Sequence, residues 1–384
     1  MTWRDCRLGD FMWLQRGHDL PAQEREDGGV PVVSSSGITG HHSKAKAVAP
    51  GVVTGRYGTL GQVFYLDRDY WPLNTALYVT DFKGNDAKFT AYFLRNALKD
   101  YQSDKAAVPG IDRNVLHELK IRAPDLALQL RIVDVLGAYD DLIDNNRRRI
   151  KLLEVAVRLL FDEWFVRLRF PGSAPFIRGG DLPHEWSRQP LGQLTTKIGS
   201  GATPRGGDAS YVEDGIALIR SQNVYDYNFV EDGLAHINDD QAALLSGVSV
   251  EAEDVLLNIT GASVARCCMV PRRLIPARVN QHVMIVRADR GKIDPYYLLC
   301  AINSDERKRQ LLSYAQTGST REALTKDLMS NFEVIVPNRP TMHAFTEFAG
   351  DAFRQRDVLA EQNRKLRTAR DLLLPRLMSG ALTV

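Results

Sequence analysis

The most restrictive feature of this 384-residue chain is that one arrangement of segments occurs in it twice. Four segments of the first half have counterparts in the same order in the second half, at offsets of 183, 203, 206 and 213 residues: Trp3–Gly9 with Trp186–Gly192, Val53–Gly58 with Leu256–Gly261, Asn74 with Asn280, and Lys120–Pro124 with Glu333–Pro337. The offset grows in small steps, as expected if loops gained residues after a duplication. The pattern predicts two copies of one structural unit and not two unrelated domains.

The first part of each copy is predicted to be a globular domain of mixed helix and strand. Short β-rich runs such as Val30–Val33 and Ile216–Ile219 are separated by glycine, proline and asparagine. One helical stretch accompanies them in each copy, at Thr90–Leu98 and at Pro295–Ser304. The predicted fold class is therefore α+β.

The second part of each copy is predicted to be one long helix of a coiled coil. In the first helix, seam residues recur at alternating spacings of four and three, with a polar residue at position 146: Ile132, Leu136, Tyr139, Ile143, Asn146, Ile150, Leu153, Val157, Leu160 and Trp164. At a common offset of 216 residues, the predicted seam of the second helix is Phe348, Ala352, Gln355, Leu359, Gln362, Leu366, Ala369 and Leu373. The apolar stripe formed by these seam residues is narrow, which is typical of a helix that packs on one other helix. Related by a pseudo-twofold axis, the two helices are expected to run antiparallel and to separate the two globular domains.

These patterns divide the chain into five segments. The predicted segments are a globular domain over 1–125, a central helix over 126–168, a linker over 169–185, a second globular domain over 186–338 and a C-terminal helix over 339–382. The linker prediction rests on prolines and glycines between Pro171 and Pro183.

Charge and cysteine content narrow the class of protein. The formal net charge is +2, so any nucleic-acid-binding surface must be a local patch. No apolar run approaches the roughly 18 residues that a membrane span needs, and Met1–Asp5 lacks the apolar core of a signal peptide. The four cysteines form no CxxC pair, which predicts a reduced, cytoplasmic protein.

No group of residues has the spacing of a catalytic or metal site. The chain contains no Pro-Pro pair, which the base-gripping loop of an adenine methyltransferase needs, and no phosphate-binding G-x-x-x-x-G-K-[ST] loop. We interpret Gly55–Gly61 as a turn, His41-His42 as a solvated loop pair, and Cys267-Cys268 as part of an apolar strand. The chain is predicted to be non-catalytic.

Several segments, in their order and double occurrence, resemble a known family. They are Asp254–Gly261 followed by Val279–Val283, a weaker twin at Gly55–Gly61 followed by Pro72–Thr75, the runs Ile219–Val224 and Thr317–Thr320, and the helical segment Asp140–Asn146 with Leu160-Phe161 and Trp164-Phe165. The chain resembles the specificity subunits of Type I restriction–modification systems, from about Thr2 to Leu382. One departure is Ala106–Gly110, which stands where the second copy has Thr317–Thr320.

The resemblance implies a function and a set of partners. Each globular domain is expected to be a target-recognition domain that reads one half of a bipartite double-stranded DNA sequence. The helix pair is expected to set the half-site spacing and to dock two methyltransferase subunits. These bring S-adenosylmethionine, while the chain itself binds no cofactor. The assembled complex is expected to methylate adenine and, where motor–nuclease subunits join it, to cut unmethylated DNA.

Loops flanking the strands carry the side chains that DNA contacts need. Lysine and arginine suit phosphates, whereas arginine, asparagine and glutamine suit base edges in the major groove. The predicted contacts are Lys44, Lys46, Arg56, Tyr57, Arg113 and Asn114 in the first domain, and Arg205, Arg220, Gln222, Asn223, Thr320 and Arg321 in the second. For each residue the alternative is an ordinary solvated side chain, and for Asn223 a cap on local backbone. The run Arg147–Arg149 with Lys151 is interpreted as DNA-facing, as a solvated flank of the helix pair or as a protein contact.

Two other functions remain alternatives at this stage. A self-contained methyltransferase or nuclease is disfavoured by the missing cofactor and phosphate motifs. A protein-interaction scaffold without sequence-specific DNA reading is compatible with the near-neutral charge. Steep loss of DNA binding with added salt distinguishes a DNA reader from such a scaffold.

Overall fold

The computed structural model describes residues 3–56, 61–99, 110–173, 182–317 and 323–384. The chain divides into two compact units, which we call unit 1 (Met1–Asn146 with Gln362–Val384) and unit 2 (Arg147–Glu361). Each unit contains a globular part and one half of each of two long helices. The two are described separately below.

Within its described residues, unit 1 contains nine strands and three short α-helices before the first long helix begins. The strands are β1 Trp3–Arg7, β2 Trp13–Arg16, β3 Val30–Ser34, β4 Gly37–His42, β5 Gly51–Gly55, β6 Val63–Leu66, β7 Trp71–Pro72, β8 Ala76–Asp81 and β9 Lys120–Pro124. The helices are α1 Leu8–Phe11, α2 Ala87–Ala97, α3 Arg113–His117 and the long α4 Leu126–Phe161, which continues through a π-helical turn, Asp162–Val166.

The core of unit 1 lies between a four-stranded antiparallel sheet and α2. The sheet has the order β2-β8-β5-β6, while β3, β4 and β7 form a second, smaller sheet and β1 pairs with β9. Helix α2 begins where the side chain of Asp86 accepts a hydrogen bond from the backbone of Phe89 (2.7 Å), as expected of an N-cap. Its buried face packs Phe89 and Phe93 against Phe11.

Unit 2 repeats these elements with additional short strands. The strands are β10 Ser187–Pro190, β11 Thr195–Ser200, β12 Tyr211–Val212, β13 Ile216–Ile219, β14 Val224–Tyr225, β15 Asn228–Phe229, β16 Ala235–Ile237, β17 Ser249–Val250, β18 Val255–Asn258, β19 Cys267–Met269, β20 Ala277–Val279, β21 Val283–Ala288 and β22 Glu333–Val336. The helices are α5 Leu191–Leu194, α6 Asp239–Leu244, α7 Pro295–Asn303, α8 Asp305–Thr317, α9 Lys326–Asn331 and the long α10 Arg339–Met378.

The sheet order of unit 2 matches that of unit 1. The antiparallel sheet β11-β21-β18-β19 corresponds strand for strand to β2-β8-β5-β6, and the pair β10–β22 corresponds to β1–β9. The two predicted helical stretches are present as α2 and α7. The structure therefore confirms the α+β class and the internal duplication.

The two long helices run antiparallel within each unit. In unit 1, Asn146 of α4 donates its amide to Asn363 of α10 (3.1 Å), while earlier residues of α4, such as Ile132, share a core with Leu377 near the end of α10. In unit 2, the ring of Phe161 lies 5.7 Å from that of Phe345 at the start of α10. Later residues of α4 thus meet earlier residues of α10, as the duplication predicts.

In the predicted seam of the second helix, every other seam residue was wrong by one position. Phe348, Gln355 and Gln362 are exposed, whereas Ala349 and Asn363 are buried. Helices α4 and α10 begin 213 residues apart, the same offset as β9 and β22, and not the predicted 216. A shift of three residues carries one seam position onto the next, so apolar spacing alone does not distinguish the two offsets.

The end of the first seam also differs from the prediction. After the buried Val157, the fully buried residues are Phe161 and Phe165, with Leu160 and Trp164 half-buried. The π-helical turn at Asp162–Val166 adds one residue to that turn and rotates the apolar face. The change brings Phe165 against Phe345 at a centroid distance of 5.1 Å.

The interpretation of His41-His42 as a solvated loop pair was wrong. Both residues lie in β4, and His42 is buried, edge-on to Trp71 at 5.2 Å. The ring nitrogen Nδ1 of His42 accepts a hydrogen bond from the backbone of Glu26 (3.0 Å).

Among the helices of the described residues, none is long and apolar enough to cross a membrane.

Candidate nucleic-acid interface

Several loops of unit 1 meet at one end of its four-stranded sheet. We call this the first loop cluster: residues 16–19, 55–56, 72–75 and 110–114. Backbone hydrogen bonds join Gly17 to Ala76 (3.1 Å), Arg56 to Thr75 (2.9 Å) and Ile111 to Arg56 (2.9 Å). A Cβ atom on Gly17 would lie 2.2 Å from the carbonyl oxygen of Leu73, so only glycine permits this close approach of the loops.

The same loops of unit 2 meet at the corresponding end of its sheet. The second loop cluster consists of residues 201–205, 220–223, 258–266 and 280–282. Backbone hydrogen bonds join Gly201 to Val283 (2.9 Å) and Ile259 to His282 (3.0 Å). A Cβ atom on Gly201 would lie 2.0 Å from the carbonyl oxygen of Val279, which repeats the restriction at Gly17. Both units thus build a loop surface at the same end of equivalent sheets.

Asn258 connects the loops of the second cluster, and the sequence predictions did not single it out for this role. Its side chain is buried and donates hydrogen bonds to the carbonyl oxygens of Ser221 (2.8 Å) and Val224 (3.3 Å). A polar residue closing the apolar run Val255–Asn258 was the only available signal in the sequence. The positions of its hydrogen-bond partners, Ser221 and Val224, depend on the tertiary structure, because they are distant from Asn258 in sequence.

The two clusters collect seven of the predicted DNA contacts. Arg56, Arg113 and Asn114 lie in the first cluster, and Arg113 and Asn114 are exposed on the first turn of α3. In the second cluster are Arg205, Arg220, Gln222 and Asn223. Arg220 lies over the ring of Tyr211 at 5.3 Å and donates to the carbonyl oxygen of Gly233 (2.5 Å), while exposed Gln222 donates to the same oxygen (3.0 Å). The six residues other than Asn223 keep the role of predicted contacts.

Asn223 requires a correction. It is completely buried, and its amide oxygen accepts a hydrogen bond from the backbone of Arg220 (3.0 Å). Its amide nitrogen donates to the carbonyl oxygens of Val230 (2.9 Å) and Asp232 (3.4 Å). The side chain therefore holds the 220–223 turn in place, because all of its polar atoms bond to backbone and none faces outward.

Lys44 and Lys46 lie outside the first cluster, beyond the end of β4. Lys44 is exposed, with Nζ 4.0 Å from the carboxylate of Glu26, and Lys46 lies over the ring of Trp71 at 5.4 Å. The remaining predicted contacts, Tyr57, Thr320 and Arg321, fall outside the residues that the structure describes.

Three acidic residues of unit 2 lie just before β18, at the end of that strand opposite to the loop cluster. Asp254, completely buried just before β18, accepts two hydrogen bonds from Arg287 (2.7 and 2.8 Å). Glu251 pairs with the same guanidinium, and Glu253 pairs with Arg272 (2.5 Å) and Arg290. These carboxylates neutralise the arginines around them.

The described residues contain no candidate metal centre. No three histidine, cysteine, aspartate or glutamate side chains of the described ranges lie close enough to hold a metal ion. Cys267 and Cys268 are buried in β19, and burial raises the pKa of the Cys268 thiol to about 12. A thiol that stays protonated and buried acts as a small apolar side chain.

Comparison with known proteins places the chain beside one group. Residues 1–155 match the family described as Type I restriction modification DNA specificity domain. The MjaIX specificity subunit of a Type I restriction enzyme from Methanocaldococcus jannaschii is 24% identical over 77% of this chain and 68% of its own length. The HindI specificity subunit from Haemophilus influenzae is 20% identical over 76% of this chain and 74% of its own length. A crystal structure of a Type I restriction–modification S subunit from M. genitalium has the same fold, with a TM-score of 0.63 and 15% identity over 98% of this chain and 96% of that one.

Proposed function

Since the chain belongs to the family of Type I restriction–modification specificity subunits, we propose that it reads a split DNA target, one half-site at each loop cluster. The observation that carries the proposal is the repetition of the loop cluster. Each unit presents exposed arginine, asparagine or glutamine side chains at the same sheet end, on backbone held by hydrogen bonds between loops. Binding energy comes from phosphate neutralisation, and sequence preference comes from base-edge contacts.

The long helices carry an exposed apolar surface that suits a protein partner. A groove of about 460 Å³ in unit 2 is lined by residues of both helices: Ala156, Leu159, Leu160, Glu163, Trp164, Ala344 and Phe348. Leu159 is 60% exposed and Phe348 is 44% exposed, although both are large apolar side chains. Contiguous exposed apolar surface of this kind marks protein interaction sites. This groove is the proposed docking site of a methyltransferase subunit.

The groove lies on the side of α4 opposite to the recognition domain of unit 2. On that other side, Arg356 donates to the carbonyl oxygen of Tyr227 (2.5 Å), and Arg158 lies over the ring of Tyr227 at 5.9 Å. At 100° per residue, Leu159 projects away from the side of α4 that carries Glu154 and Arg158. A partner on the groove therefore leaves the recognition domain of unit 2 uncovered.

In the proposed complex the chain supplies recognition and its partners supply chemistry. Two methyltransferase subunits bring S-adenosylmethionine and transfer its methyl group to adenine. Motor–nuclease subunits join where the system also cuts unmethylated DNA. The chain itself performs no catalytic step in this proposal.

The test is to co-express the full chain with the methyltransferase encoded beside it, purify the complex and sequence the methylome of the same cells. We expect methyltransferase to co-purify with the wild-type chain and adenine methylation to occur at one split motif. Leu159→Glu places a charge in the apolar groove, so it should abolish co-purification and methylation while the chain stays folded. Binding to the target DNA should fall steeply with added salt.

The matched control is Leu244→Glu on α6. Leu244 is 58% exposed, nearly the same as Leu159, but lies on the globular part of unit 2. It should leave both co-purification and methylation unchanged. A wild-type chain that captures no methyltransferase and leaves no methylation would support the scaffold alternative instead.

A further inference from the structure

One position at the loop end of the four-stranded sheet is equivalent in the two units, although the residues there differ. Each antiparallel sheet ends in a strand that pairs with β5 or β18, and Gln62 and Arg266 directly precede those strands. The backbone of Asn258 donates to Arg266 (2.8 Å), and the hydroxyl of buried Thr54 donates to the carbonyl oxygen of Gln62 (2.8 Å). The residue before each has a left-handed backbone, with φ 81° at Gly61 and 65° at Ala265.

Arg266 stacks on an aromatic ring and has no neutralising partner among the described residues. Its guanidinium lies 4.5 Å from the ring centre of Tyr225, a side chain that is 40% exposed. The nearest acid in sequence to Tyr225 is Asp226, which already pairs with Lys308. By contrast, the arginines at the other end of the sheet are paired with carboxylates: Arg272, Arg287 and Arg290. Stacking on an aromatic ring leaves the donors at the guanidinium edge available.

Gln62 is held in a similar way in unit 1. Its backbone is held by Thr54, and the following residue, Val63, is buried and accepts a hydrogen bond from Arg95 (3.2 Å). The Gln62 side chain is exposed and makes no hydrogen bond within the described part of the chain. At this position each unit therefore combines a hydrogen-bonded backbone with a side chain whose polar end is available to bind a ligand.

Resting on the proposed function, we propose that this position reads a base in each half-site: Arg266 reads a guanine and Gln62 an adenine in the major groove. Arginine donates two hydrogen bonds to O6 and N7 of guanine, and glutamine forms a pair of bonds with N6 and N7 of adenine. Equivalent positions with different base-reading side chains also explain how one duplicated frame recognises two different half-sites.

The test is a reciprocal exchange in the full chain, assembled with its methyltransferase and challenged with a randomised DNA library. Arg266→Gln should change the preferred base at one position of one half-site from guanine to adenine. Gln62→Arg should change adenine to guanine at one position of the other half-site. Each change should alter the preference at its own position about 10- to 100-fold and leave every other position unchanged.

The matched control is Arg290→Gln, because Arg290 is an arginine of the same domain that is paired with Glu253. It should leave all base preferences unchanged, whereas Arg266→Lys, which retains a donor, should preserve the guanine preference. Uniformly weaker binding by Arg266→Gln, without a change of base, would identify a phosphate contact and overturn the proposal. Unaltered binding would overturn it as well. A wild-type chain that selects no split target would refute the proposed function together with this assignment.

Discussion

At the residue scale, the imidazole of one histidine accepts a backbone hydrogen bond in unit 1. The backbone of Leu14 in β2 donates to Nε2 of His117 (3.0 Å), a ring that is buried and stacked on Trp13 at 4.2 Å. Nε2 can accept this bond only when it carries no proton. Burial, together with the charge of Arg113, lowers the pKa of His117 below its ordinary value of 6.5.

This contact predicts a pH-dependent stability for unit 1. Because the folded pKa lies below that of the unfolded chain, the unfolded chain binds more protons between the two values, and stability falls as pH drops through about 6.5 toward the folded pKa. His117→Gln keeps an acceptor but does not titrate, so it should lose less stability than the wild type between pH 7.5 and 5. Urea unfolding across this range measures the difference. Parallel pH profiles for the two proteins would show that His117 is not the titrating group.

At the element scale, a buried polar pair lies in the apolar seam between α4 and α10. Asn146 donates to Oδ1 of Asn363 (3.1 Å), and Asn363 donates to the carbonyl oxygen of Ile143 (3.2 Å). Both side chains are buried. A polar pair at one seam position favours a single register, because any slip leaves the amides buried without partners.

Removing one member of this pair should cost more than removing both. Asn363→Leu leaves the amide of Asn146 without its acceptor and should lower the free energy of unfolding by about 1–3 kcal/mol. The double variant Asn146→Leu, Asn363→Leu should recover most of that loss. Gln362→Leu changes the exposed neighbour and serves as the control, with little expected effect. Thermal unfolding measures all three, and equal losses in the single and double variants would argue against a specific pair.

At the scale of the whole molecule, we propose that the helix pair sets the half-site spacing, as the family resemblance implies. Seven residues add about 10 Å to an α-helix, which is close to the rise of three base pairs. A heptad inserted into both α4 and α10 preserves the seam, because the apolar pattern repeats every seven residues. The insertion should therefore lengthen the unspecified spacer of the target by about three base pairs. Methylome sequencing reports the spacer directly, and an unchanged spacer would rule out the helices as its determinant.

Much of this architecture was predictable because its signals are local. Alternation of apolar residues and turn-forming residues marks the strands, heptad spacing marks the long helices, and the repetition of both along the chain marks the duplication. The predicted helical stretches at Thr90–Leu98 and Pro295–Ser304 correspond to α2 and α7 for this reason. Each of these signals depends only on residues near one another in sequence.

The errors occurred where the outcome depends on which elements pack together. The apolar spacing of the second helix fits two registers three residues apart, and its contact with α4 buries Ala349 and Asn363 in place of Phe348 and Gln362. Asn223 has the composition of a base reader but bonds to backbone that folds over it. Sequence patterns alone indicate two copies of one unit, their order and the long helices. Which polar side chains form internal hydrogen bonds, and which, such as Gln62 and Arg266, remain at the surface, depends on the tertiary structure, because those bonds join residues that are distant in sequence.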